Sequence, residues 1–251
     1  MRMILSPAKR MKTDEGTLDV LGLPVFLNQT EKIMNWLREK SQSELQKLWK
    51  CSDRIAQQNF ERLKRMELRK HLTPAILSYE GLAYQYMAPA VFEYGHLDYV
   101  QEHLRILSGF YGVLKPMDGV STYRLEMQAK ATICGCKNLY QFWGSRLYQE
   151  VRDASGIIIN LASKEYSKCI EKYLTSGDRY IICTFAEMSS GAGGKLVTKG
   201  TYAKMARGEM VRFMAENSIE KPEDIKYFDR LGYVYRADIS TEMEYVFERK
   251  I

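Results

Sequence analysis

The sequence predicts a mixed α/β (α+β) fold, a single compact domain over residues 1–251 with a mixed β-sheet core surrounded by helices. Three observations carry that reading. Apolar runs of strand length at 1–5, 157–162 and 180–186 alternate with segments of helical, 3.6-residue periodicity. No internal repeat or low-complexity linker divides the chain. At 251 residues, 45% hydrophobic and 27% charged, it has the composition of an ordinary soluble globular protein. That length buries roughly three quarters of the unfolded surface.

Residues 1–5 read as a buried strand that Pro7 stops. Ser6 and Lys9 then stand at a strand end, where α/β folds keep functional groups; a plain turn before a solvated basic segment reads equally well. Residues 10–24 lack periodicity and read as a loop. From Thr30 the pattern is helical, with Ile33, Met34 and Leu37 on one face; Ser43 opens a second helix with Gln46 in capping-box spacing, and Ser52 opens a third. The outer side of the third carries Arg54, Arg62, Lys64, Arg65, Arg69 and Lys70, a solvated face or a contact for a polyanion. Residues 76–79 suggest a strand closed at Gly81.

Asp98, with Gln101 three residues on, opens a helix expected to run over 98–114, because Val100, Leu104, Leu107, Tyr111 and Leu114 recur at helical spacing. Gly109 and Gly112 interrupt that run. Each costs roughly 1 kcal/mol against alanine in a helix, so another element, a phosphate or a ligand must approach closely there. A turn at 116–119 follows, then Arg124 and Glu126 in alternate positions. Asn138 opens a helix reaching Val151, residues 157–162 form a strand covered on both faces, and Ser163 caps a helix to Leu174. Residues 180–186 and 195–198 pair across a glycine-rich turn, residues 201–217 form a strong helix, and 232–237 with 242–249 make a last hairpin.

The charge balance of 37 Lys+Arg against 31 Asp+Glu, +6 in all, permits a nucleic-acid or phosphate partner without demanding one. No window approaches the run of about 18 apolar residues a membrane span needs. The first twelve residues hold four basic side chains rather than a signal peptide, so no membrane contact and a cytoplasmic location are expected. Cys51, Cys134, Cys136, Cys169 and Cys183 are odd in number and scattered, as reduced thiols would be. Neither the Cys134/Cys136 pair nor His71, His96 and His103 has metal-ligand spacing, and no metal or cofactor is expected.

Gly191 to Lys195 fails the P-loop spacing, and Leu196 follows where Ser or Thr is needed. On the helix over 201–217, Ala203, Ala206, Met210, Phe213 and Met214 form an apolar stripe. Lys204, Arg207 and Arg212 fall beside it, and the small residues Ala206 and Gly208 leave room for a phosphate backbone to approach. Candidate acid, base or nucleophile pairs are Arg124 with Glu126, Asn160 with Ser163, Glu165 with Tyr166, and Ser6 with Lys9; none fits a catalytic triad or a paired-carboxylate template.

Five stretches in order, Leu5-Ser6-Pro7-Ala8-Lys9, the run 104–127 (L-R-I-L-S-G-F-Y-G-V-L-K-P-M-D…Y-R-L-E-M), Leu139-Tyr140-Gln141-Phe142-Trp143-Gly144, Asn160-Leu161-Ala162-Ser163-Lys164-Glu165-Tyr166 and Tyr202-Ala203-Lys204-Met205-Ala206-Arg207-Gly208, resemble the YaaA family of bacterial peroxide-stress proteins. The resemblance spans nearly the whole chain and is weakest over 10–71, 133–137 and 189–195. It implies a fold peculiar to the family and a cytoplasmic role in surviving hydrogen peroxide by lowering unincorporated iron and limiting oxidative DNA damage. It also implies binding of double-stranded DNA in a positively charged cleft with a helix-hairpin-helix element. The helix over 98–114, its turn and the segment to Met127 are the expected place of that element; the junction of the 201–217 helix with Pro222 to Ile225 is the alternative.

The leading expectation is therefore a monomeric, sequence-independent DNA-binding protein that holds phosphates with Lys9, Arg105, Lys115, Arg124, Lys204, Arg207 and Arg212. The competing expectation is an enzyme acting on a nucleobase, nucleotide or other small phosphorylated ligand, with Ser6, Lys9, Tyr111, Arg124, Glu126, Asn160, Ser163 and Glu165 lining a pocket. Side chains converging on an enclosed pocket favour the second; cations spread along an open groove favour the first. Direct iron binding, a third possibility, lacks a ligand cluster in the sequence.

Overall fold

The structure, a computed structural model, describes residues 1–14, 16–189 and 195–250. The chain begins with β1 (Arg2–Leu5), whose Met3, Ile4 and Leu5 are fully buried, and β2 (Arg10–Met11) follows beyond Pro7. Three helices come next, α1 (Leu27–Arg38), α2 (Gln42–Trp49) and α3 (Asp53–Arg65). The capping box of α2 sits two residues before its predicted place: Ser41 accepts the Glu44 N–H, and the Glu44 carboxylate accepts the Ser41 N–H at 2.8 Å. Ser41/Glu44 wins over Ser43/Gln46 because a carboxylate in the first turn also meets the positive end of the helix.

The strand expected over 76–79 is mostly helical, because residues 73–87 alternate quickly: β3 (Thr73–Pro74), α4 (Ala75–Ser78), β4 (Tyr79–Glu80) and α5 (Leu82–Met87). The helix expected over 98–114 is also corrected. α6 (Tyr94–His103) starts four residues earlier than predicted and stops at His103, and the chain turns directly into β5 (Leu104–Ser108) and β6 (Gly112–Leu114), an antiparallel hairpin. Nearly every residue from 104 to 114 is apolar, so helical spacing was satisfied by default. What decides the matter is burial on both faces, together with a left-handed φ of +81° at Gly112 that no helix interior holds. Ser108 closes the hairpin by accepting the N–H groups of Phe110 and Tyr111 at 3.1 and 2.9 Å. The helix-hairpin-helix element therefore does not lie at 98–127, which continues as a turn and β7 (Gly119–Val120), paired with β3. At the alternative place, the helix is followed by 3₁₀ turns.

The remaining elements follow the predicted order. Asn138 caps α7 (Leu139–Trp143) by accepting the Gln141 N–H at 2.9 Å, but Gly144 at φ +57° separates α7 from α8 (Arg146–Val151). Then come β8 (Ile157–Leu161), α9 (Lys164–Glu171), β9 (Arg179–Met188), β10 (Leu196–Val197) and α10 (Gly200–Glu216). Two 3₁₀ turns lead to the closing hairpin of β11 (Tyr233–Tyr235) and β12 (Glu244–Arg249). The expected pairing of β10 with β9 is present, and its glycine-rich turn lies outside the described residues.

One sheet of eight strands carries the core, in the order β11-β12-β9-β8-β1-β5-β6 with β10 beside β9. β12, β9, β8, β1 and β5 are parallel. From β1 the chain builds toward β5 and β6 on one side. It then crosses back and builds through β8, β9 and β12 on the other. The reversal lies between β1 and β8, and in open α/β sheets the crevice beyond the carboxyl ends of such strands is where ligands bind.

Candidate functional site

A cavity of about 500 Å³ opens at that reversal point. Its lining joins Ser6 to Arg10 beyond β1, Glu80 to Tyr84 at the start of α5, Tyr123 to Glu126, the β8–α9 junction, and Lys204 and Arg207 of α10. Two serines tie the two strand ends together: Ser6 Oγ accepts the Ser163 N–H at 2.8 Å and donates to Ser163 Oγ at 3.1 Å. Tyr84 from α5 donates to the Ser6 carbonyl at 3.0 Å.

Gly109 explains how the 123–127 segment reaches this place. A Cβ there would lie 2.7 Å from the Leu125 carbonyl oxygen and 3.0 Å from the Met127 nitrogen, so only glycine admits the passing backbone. Trp143 Nε1 fixes the position by donating to the Gly109 carbonyl at 3.1 Å. In the extended segment, Tyr123, Leu125 and Met127 are buried, and the alternate residues Arg124 and Glu126 both line the cavity. Glu126 bridges Lys9 Nζ at 3.0 Å and Arg124 at 3.7 Å.

Four arginines hold a buried nitrogen without a hydrogen-bond partner among the described residues, and two of them, Arg124 and Arg207, line the cavity while Arg2 and Arg105 do not. The Arg124 side chain is only 11% exposed, and its Nε is buried without a hydrogen-bond partner. Arg207 Nε on α10 is in the same condition; burial lowers its pKa, opposed by nearby Cys183. Buried donors are almost always paired, so two orphaned guanidinium nitrogens on one cavity indicate a missing acceptor. Glu165 is held at the start of α9 by the Gln128 N–H, which donates to Oε1 at 3.2 Å. Burial raises its pKa against that hydrogen bond; neighbouring Glu126 raises it further and Lys9 lowers it.

Eight of the predicted site residues thus share one cavity: Ser6, Lys9, Arg124, Glu126, Ser163, Glu165, Lys204 and Arg207. The other five are placed elsewhere. Asn160 is buried in β8, and its Oδ1 accepts the Ala162 N–H at 2.8 Å. Tyr111 is fully buried, with its hydroxyl accepting the Ser121 N–H at 2.9 Å. Arg105 is 3% exposed and donates to the carbonyls of Gln101, Glu102 and Leu104 at the end of α6. Lys115 is exposed on the turn after β6, and Arg212 pairs with Glu216 at 2.7 Å. Gly208 also has a different role from the one expected. A Cβ there would sit 1.8 Å from the Ala83 carbonyl oxygen, so what approaches α10 is α5, not a phosphate.

Sequence reasoning missed Tyr84, Tyr123, Arg10 and Glu80, which also line the cavity, as does Tyr166, the expected partner of Glu165. Alternation with Arg124 assigns Tyr123 to the opposite, buried face, so no sequence signal marked it. Its hydroxyl is bonded to Tyr79 at 2.9 Å and Ser108 at 2.7 Å, and burial lifts its pKa to about 12. Among the described residues, no group of three or more His, Cys, Asp or Glu is placed to hold a metal ion, and no helix is long and apolar enough to cross a membrane.

An open, largely parallel α/β sheet with a cavity of cations and carboxylates beyond its central strands defines the class of domain. Within that class the chain belongs to the peroxide stress protein YaaA family, whose model matches residues 1–239. It is 64% identical to a UPF0246 protein of Agathobacter rectalis over 251 residues, the whole of both chains. It is 53% identical to one from Lachnoclostridium phytofermentans over 247 residues (98% of this chain, 96% of the relative). It is 49% identical to one from Pediococcus pentosaceus over 247 residues (98% and 97%). The family expected from the five sequence stretches is the family found.

Proposed function

We propose that this protein serves the peroxide-stress response by binding double-stranded DNA without sequence preference, limiting oxidative damage to the bound DNA and accompanying a fall in unincorporated iron. The observation that supports it is the pair of orphaned guanidinium nitrogens, on Arg124 and Arg207, in a cavity whose lining also carries the exposed cations Lys9, Arg10 and Lys204. Phosphate oxygens supply the missing acceptors, and backbone phosphates are the same for every sequence. Duplex affinity then falls steeply with salt. Replacing Lys204→Glu together with Arg207→Gln removes two phosphate contacts and flattens the log–log salt slope by about 1.8, at about 0.9 per contact. Affinity that is indifferent to salt, or unchanged in the double variant, contradicts the proposal.

A second reading has its own observation: eight of the candidate residues converge on one cavity rather than along an open groove, which on the criterion set from the sequence favours a small-ligand pocket. Glu126 and Glu165 share the cavity with those cations, an arrangement suited to a small phosphorylated ligand and to acid or base work upon it. Calorimetric titration with nucleoside monophosphates tests it: saturable binding that competes with duplex DNA supports it, and no heat of binding removes it.

A further inference from the structure

We infer that the part of DNA entering the cavity is a single nucleotide turned out of the double helix, with its phosphates held by the cations and its base lodged against Glu165. The inference rests on the proposed DNA binding and specifies what that site accepts.

Size is the first ground. About 500 Å³ is the volume of a pocket that encloses one small-molecule-sized ligand, not a stretch of duplex. Charge is the second. The Lys9 and Arg10 side chains are 65% and 81% exposed, as befits a rim that meets a polyanion from outside. Glu126 is 20% exposed, and Glu165 is half-buried at the base of α9. Glu126 is already bridged to Lys9 and Arg124, whereas Glu165 makes no ion pair among the described residues, so a phosphate brought against Glu165 would meet like charge. An ionised carboxylate only accepts hydrogen bonds, so the groups it suits are the amino and ring N–H donors on a base edge. Arg124 and Arg207, whose Nε atoms lack partners, line the same cavity and serve the phosphate of the nucleotide that enters. Shape is the third ground: the lining includes Tyr84, Tyr123 and Tyr166, each buried to 8% exposure or less, so the wall they form is a fixed, largely apolar one against which a planar base fits.

Turning a nucleotide out costs unstacking and unpairing, least where the pair is already broken. Binding should therefore be about tenfold tighter for a duplex with one mispair than for its matched counterpart. The test uses the full-length protein and short duplexes carrying one 2-aminopurine, opposite thymine or opposite cytosine. Saturating protein is expected to abolish the short-lived, stacked component of the emission decay at the mispaired site. The same probe several pairs away should not change. Glu165→Leu is expected to keep the salt slope and lose the mispair preference; should it fail to fold, Glu165→Gln, which keeps an acceptor for the Gln128 N–H, is expected to shift the preference among bases. Equal, salt-dependent binding of both duplexes with an unchanged decay overturns the inference and leaves DNA binding standing. A full mispair preference in folded Glu165→Leu, or an unchanged preference among bases in Glu165→Gln, also overturns it. Failure of every duplex to bind at low salt overturns the proposed DNA binding and the inference together.

Discussion

Asp118 shows how a single side chain prepares the site from outside it. Its carboxylate accepts the Lys115 N–H at 2.9 Å, and its carbonyl accepts the Ala75 N–H at 2.9 Å, fixing the turn from which the chain proceeds to Arg124. Burial raises its pKa to about 6, opposed by that backbone hydrogen bond and by Lys115 and Arg105. A carboxyl whose folded pKa exceeds its unfolded one binds more protons in the folded state, so its contribution to stability falls as pH rises between about 4 and 6. Ionisation then costs on the order of 3 kcal/mol at neutral pH. Asp118→Asn keeps an acceptor and removes that cost. The stability of the variant relative to the native chain, read by urea unfolding, should climb from pH 4 to pH 7; a flat difference would show that Asp118 does not titrate there. At this scale the sequence was informative where chemistry is local. Ser6, Lys9, Glu126 and Glu165 could be picked as polar residues at element edges. Asn160 and Tyr111 looked the same in sequence but spend their polar atoms on neighbouring backbone, which only coordinates reveal.

Two glycines set the geometry between elements, and they should fail differently when replaced. Alanine at Gly208 would gain roughly 1 kcal/mol of helix propensity. Its Cβ would, however, sit 1.8 Å from the Ala83 carbonyl oxygen, a main-chain atom that cannot turn aside. The clash wins, and Gly208→Ala is expected to destabilise by about 2–3 kcal/mol through separation of α10 from α5. Gly109→Ala meets the Leu125 carbonyl at 2.7 Å, but the segment it displaces is the one bearing Arg124 and Glu126. Its effect should fall on DNA affinity more than on thermal unfolding; the reverse ranking of the two variants in those assays would contradict the packing described. The glycines at 109 and 112 did announce close approach from sequence. That they belong to a strand hairpin was not legible, because a run apolar on every side satisfies helical and strand periodicity alike. Elements with one polar face, such as α3 and α10, or with bounding glycines and polar turns, such as β8 and the closing hairpin, were found close to where they lie.

Across the whole molecule, the sheet order turns scattered residues into a site. β1 and β8 are separated by about 150 residues of chain yet are adjacent and parallel, with Leu5 opposite Leu161. Their carboxyl ends carry the two serines that join them and lie beside Lys9 and Glu165. Nothing in local sequence specifies that adjacency. Family resemblance could name the protein's kin but not show which signature residues meet, and three of the seven expected cations, Arg105, Lys115 and Arg212, lie outside the cavity. On the proposed function, anion binding belongs to the reversal point between β1 and β8. Its most direct test is duplex affinity against salt for Arg124→Gln beside Lys115→Gln, an exposed cation outside the cavity. Arg124→Gln should weaken binding about tenfold and flatten the slope by about 0.9, while Lys115→Gln stays close to the native chain. Equal effects of the two, or a larger effect at Lys115, would place the anion site elsewhere.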